Sequence, residues 1–163
     1  MEWVNAIFVY FSAEKTGALI KFFFASAALI GALYFYRRHE IAKGFCYVAI
    51  FVFISQVIVG GTIYFRTDAQ VAALQALIAS DSAAFLAQEK LRMAEVVADF
   101  STYRALQISF VLLGAVLVAI SRRRHMPRIQ GAGAAFMLLG AMLFLMDLLA
   151  AQRAAIYLNA LSQ

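Results

Sequence analysis

Lys21 and Asp147 each interrupt an otherwise apolar run, over 18–36 and 129–150 respectively. At 1.5 Å per helical residue, Lys21 stands about 22 Å and Asp147 about 27 Å from the arginine-flanked ends of those runs. They therefore share a depth. A lone charge inside hydrocarbon costs up to about 3 kcal/mol, and an opposite charge within reach relieves it. The expected chemistry is a salt bridge between the first and last helices, shared with Arg153 or Arg104. The competing reading leaves Lys21 snorkelling towards water and Asp147 at the interface. Lys21, Arg104, Asp147, Arg153 and Tyr157 also form the one convergence of polar groups that an enzyme acting on lipid or quinone would need.

Three further sets carry polar chemistry. Gln56 and Ser109 fall about 17 Å from the arginine-flanked ends of their runs, near a midplane. Polar side chains at that depth bond across helices or line a solute path. Proton-coupled transport would add an embedded Asp, Glu or His there. Glu89, Arg92, Glu95 and Asp99 are spaced three and four apart. That spacing supports a helix by pairing along one face, or presents a charged surface to a protein partner. His39, Glu40 and His125 offer two imidazoles and a carboxylate to a metal. Their spacing is no metal motif and arginines crowd both loops, so neither a metal nor a cofactor is expected.

The elements that hold these residues are set by composition. Apolar residues make up 64% of the 163 and charged residues 14%. Soluble domains carry about 45–50% apolar and about 25% charged residues, so the solvent for most of this chain is expected to be lipid. Runs of about 20 apolar residues suffice to cross a bilayer. They occur at 18–36, 45–65, 106–120 and 129–150. Residues 2–12 read as a separate amphipathic helix lying at the interface, with Trp3, Val4, Ile7, Phe8 and Phe11 on one face. Glu14-Lys15-Thr16-Gly17 is expected to break it from the first span. Glu2 occupies the place of a basic leader, and Lys15 and Lys21 interrupt the apolar run, so the first span is expected to remain.

Residues 66–104 hold nine charges of both signs but keep helical periodicity. Ser80-Asp81-Ser82 is the strong break, and a Ser or Asp there suits an N-cap. The expectation is two long helices, roughly 45–79 and 82–121, forming a hairpin that projects from the membrane. Pro127 suits the first turn of the last helix. Ala27-xxx-Gly31, Ala28-xxx-Ala32 and Gly131-xxx-Ala135 are expected to pack spans 1 and 4 on each other.

Orientation follows from charge. The 36–44 and 121–128 loops contain seven of the fourteen Lys and Arg residues and one of the nine acids, Glu40. Short loops rich in Lys and Arg stay in the cytoplasm. Both termini and the 66–104 hairpin are then extracytoplasmic, on the periplasmic side of an inner membrane. The net charge of +5 thus reports topology, and no nucleic-acid partner is expected.

The single cysteine, Cys46, gives no CxxC and no internal disulfide. Asp147 stands alone rather than in an intramembrane aspartate pair, and no His base accompanies a Ser or Cys nucleophile at matching depth. The expected fold is all-α: an antiparallel four-transmembrane-helix bundle with an extended extracytoplasmic hairpin. The expected function is non-catalytic, through contacts with another membrane or periplasmic protein. The chain would be an accessory or assembly subunit of a membrane complex, or an immunity protein against a pore-forming toxin. In being a small bundle of a few membrane helices without catalytic residues, it resembles the colicin-type immunity proteins. That likeness is one of architecture, without a shared motif, and the outward termini depart from the four-helix members. The alternative is a small transporter or channel along Gln56, Ser109 and the Lys21/Asp147 region. Nothing in the sequence sets the oligomeric state.

Overall fold

The computed structural model describes residues 2–162, with side chains from Val4 onward. The interfacial role expected of Trp3 lies outside the described side chains. Four α-helices follow one another: α1 (Glu2–Phe35), α2 (Glu40–Ser80), α3 (Ser82–Arg124) and α4 (Pro127–Ala160). All four are long and apolar enough to cross a membrane. At 34 to 43 residues they run about 50–65 Å, well beyond the roughly 30 Å of a hydrocarbon core. Phe23, Ile30, Ile58, Leu112 and Leu138 stand more than half exposed around the helices. Exposed apolar surface of that extent marks contact with lipid or with another protein.

α1 differs from the sequence expectation: it is continuous through Glu14–Gly17. The polar residues there do not break the helix because most are bonded where they stand. Lys15 Nζ reaches both Asp68 oxygens at 2.9 Å, Arg66 Nη2 meets Glu14 at 3.5 Å, and Thr16 Oγ1 donates to the Ser12 carbonyl. Residues 2–12 are thus the end of α1, standing beside the hairpin, rather than a separate surface helix.

The turns have local causes. Asp81 ends α2 and caps α3, its Oδ1 accepting from Ala83 N at 3.0 Å and Ala84 N at 2.9 Å. These are two of the free amides that any helix start leaves. His125 takes the left-handed conformation, φ 52°, closing α3 before Pro127 opens α4.

α4 is the central helix, packed against the other three. Two cores lie along it. Towards the arginine end, Ala25, Ala32, Cys46, Ala49, Val52, Ala135 and Leu139 form an apolar core. Towards the Asp81 end, Ile7, Tyr10, Phe11, Phe85, Met93, Ala154 and Tyr157 form another, with Val71, Leu74 and Ile78 packed against it. The closest crossings use glycine. A methyl group on Gly44 would overlap the Arg128 carbonyl, and one on Gly131 would overlap that of Ile41. Gly131 therefore seats α4 on α2, not on span 1 as its spacing had implied. Gly31 faces open space, with nothing within 4 Å of a built Cβ. Ala25, Ala28 and Ala32 are the small residues of α1 that reach the core beside Ala135.

Candidate functional site

Two buried polar groups are the most elaborate chemistry in the bundle. The first joins three helices at one depth. Lys21 Nζ on α1 donates to Asp147 Oδ1 on α4, and Gln107 Nε2 on α3 donates to Asp147 Oδ2. Lys21 and Asp147 side chains are 21% and 13% exposed, and Gln107 is 6% exposed. Both carboxylate oxygens are thereby satisfied. Gln107 Oε1 is buried without a hydrogen-bond partner.

The second lies in the core at the Asp81 end. Glu89 is 2% exposed and receives a two-pronged bond from Arg92, Nε at 2.7 Å and Nη2 at 2.6 Å. Tyr157 Oη donates to Glu89 Oε1 at 3.1 Å. Aromatic rings enclose the pair: Arg92 sits 5.5 Å from the Phe11 ring centroid, and Tyr10 stacks on Tyr157 at 4.8 Å. A charge-assisted fork is the strong form of the carboxylate–guanidinium bond, and burial makes its loss costly. Both tyrosines lie outside the apolar spans 18–36 and 129–150. Burial, then Glu14, holds the Tyr10 phenol up at about 12. Burial, then the Glu89 charge, pushes Tyr157 above the ordinary tyrosine range.

The structure divides the other polar sets. Gln56 and Ser109 do not meet: Ser109 is exposed and its hydroxyl returns to the Ala105 carbonyl at 2.9 Å. Gln56 lies on the wall of a cavity of about 200 Å³ between α2, α3 and α4. Of the expected outer cluster, Arg104 is exposed and bonds the Phe100 carbonyl of its own helix. Arg153 reaches the Ala13 carbonyl at 3.3 Å, and Tyr157 belongs to Glu89. Neither arginine is bonded to Asp147. Of the expected docking charges, Glu89 points into the core and Arg92 follows it, while Glu95 and Asp99 remain on the surface. At the arginine end, Glu40 is bonded by Lys43 and by Arg128, which together hold its carboxyl below the usual range. No group of three metal-ligating side chains occurs among the described residues.

Sequence reasoning missed Gln107 and the burial of Glu89, although both left a signal. Gln107 stands about 20 Å from the arginine-flanked end of its run, the depth of Lys21 and Asp147. Glu89 falls four residues from both Phe85 and Met93, on the apolar stripe of its helix.

Both carboxylates are occupied by fixed donors from other turns or helices. Such a network holds helices in register and specifies one packing. No family model, curated protein or solved structure matches the chain.

Proposed function

We propose that this chain is a non-catalytic, multi-pass inner-membrane protein that works by binding another membrane or periplasmic protein. The arginine end faces the cytoplasm, by the loop-charge rule. The Asp81 end, with both termini, projects outside. There the four helices continue beyond the apolar spans as a small bundle with its own core.

The observation that carries the reading is the outward face of α3. Leu91 is 71% exposed and Tyr103 49% exposed, and Glu95 and Asp99 lie between them at four-residue steps. The inward face of the same segment is spent on Phe85, Glu89 and Met93. Leu91 and Tyr103 on one exposed helix face are apolar anchors of the kind a partner's groove accepts, with the two acids supplying charge between them. An accessory or assembly subunit and an immunity protein are the two roles we propose for such a face. A transporter is less well supported, because Gln56 and Ser109 do not meet and Ser109 spends its hydroxyl on its own helix.

A photo-crosslinker at position 95 in native membranes is expected to capture one protein in near-stoichiometric yield. Leu91→Arg should abolish that capture without changing the amount of folded chain. Capture that Leu91→Arg leaves unaltered, or no capture at all, would remove the proposal.

A further inference from the structure

The arginine end and the cavity above it make a composite site whose two halves match the two halves of one kind of molecule. The first half is charge. Arg37, Arg38, Arg122, Arg123 and Arg124 are all exposed, and none is in an ion pair among the described residues. The one acid on this face, Glu40, is already held by Lys43 and Arg128. The rim thus presents guanidinium groups without internal counterions, in the turn between α1 and α2 and at the end of α3.

The second half is an apolar cavity of about 200 Å³ walled by Phe51 and Val52 of α2, Phe110 of α3, and Phe136 and Leu143 of α4. α2 and α3 meet only sparsely. Phe51 and Leu106 on the cavity's border are each more than half exposed. Counted from Lys43, Arg122 and Arg128 along their helices, these walls begin about 12 Å from the basic rim and end about 23 Å from it. One leaflet's hydrocarbon is about 15 Å deep. A chain anchored by a phosphate at the rim therefore arrives in the cavity.

We infer that this is a binding site for an anionic phospholipid of the adjacent leaflet, with its phosphate on the arginine rim and one acyl chain in the α2–α4 cavity. Charge complementarity selects an anionic headgroup, and the placement of the cavity above the rim selects a lipid over a soluble phosphate. The site requires the membrane-spanning reading but neither its orientation nor a protein partner on α3. Occupancy fills the cavity that Phe51, Phe110 and Phe136 leave open.

The test is lipid titration of the purified full chain in mild detergent, read by native mass spectrometry. Phosphatidylglycerol should bind in preference to phosphatidylcholine. An arginine near an anionic surface contributes about fivefold in affinity, so replacing Arg122, Arg123 and Arg124 by Gln should weaken phosphatidylglycerol binding roughly 100-fold. Ser55→Phe, which fills the cavity and leaves the rim intact, should also weaken it. Leu143→Phe provides a second filler if the first does not fold. Glycerol phosphate at millimolar concentration should not displace the lipid. Equal binding of the two lipids would overturn the inference. So would displacement by glycerol phosphate, or a cavity variant that binds as well as the parent, since each leaves only surface electrostatics.

Discussion

Replacing Lys21 by Met tests whether the Lys21–Asp147–Gln107 network holds the bundle together. The substitution leaves Asp147 with Gln107 as its bonded partner; an unpaired charge costs about 2.5–3.5 kcal/mol at the bilayer centre, and Asp147 stands nearer the edge. The two side chains keep 21% and 13% exposure, so part of that cost is relieved by water. About 2 kcal/mol is expected, near 30-fold in the unfolding equilibrium. Asp147→Leu should cost a similar amount, since it strands Lys21 and the Gln107 amide together. The double variant should lose clearly less than the two singles combined, because no charge is left unpartnered. In the swap Lys21→Asp with Asp147→Lys, Gln107 Oε1, now without a partner, becomes available to accept from the new ammonium. The swap should therefore recover most of the loss. The assay is reversible unfolding in mixed micelles, followed by helical circular dichroism. Additive single losses, or a Lys21→Met variant within about 0.5 kcal/mol of the parent, would refute the coupling.

Gly44→Val should separate α2 from α4 and cost about 3 kcal/mol or more, since the obstructing atom is backbone and cannot rotate away. Gly31→Ala should be neutral or slightly stabilising, with helix propensity in its favour by up to about 1 kcal/mol; thermal unfolding of the two distinguishes them. Tyr157→Phe removes a hydrogen bond to a buried carboxylate and should cost about 1.5–3 kcal/mol. Tyr10 and Tyr157 both have raised phenol pKa values in the fold, so the stability their neutral forms contribute is complete below pH 10 and is lost above it, through about 12 for Tyr10 and higher still for Tyr157. The parent's stability should fall as pH rises above 10, and Tyr157→Phe should flatten that loss.

The four apolar helices were legible because lipid leaves backbone groups no partner outside the helix, so hydropathy alone marks the spans. The depth match of Lys21 and Asp147 was legible for the same reason: helical rise converts sequence position into distance. Side-chain facing was harder. Ser109 has the depth of Gln56 but satisfies its hydroxyl on its own helix, and spacing alone does not distinguish that from a bond across helices. Glu89 looked like one of a run of surface charges, because i, i+3 pairing with Arg92 is the same in sequence whether the pair is solvated or enclosed by Phe11, Tyr10 and Tyr157. The continuity of α1 was missed because Glu14 and Lys15 find their partners 52 and 53 residues away on α2. The small residues were read as packing spans 1 and 4 together, whereas the structure seats Gly131 on α2 and leaves Gly31 facing open space.

The central claim is that the arginine end lies inside the cell and the Asp81 end outside, with the four helices crossing between. Cysteine accessibility measures it directly. In a Cys46→Ala background, Ser82→Cys and Met126→Cys place single thiols on the exposed turns at opposite ends of the bundle. A membrane-impermeant maleimide added to intact cells should label position 82 at once and position 126 only after permeabilisation. Labelling of 126 in intact cells, with 82 protected, would contradict the orientation and remove the outward face of α3 as a docking surface.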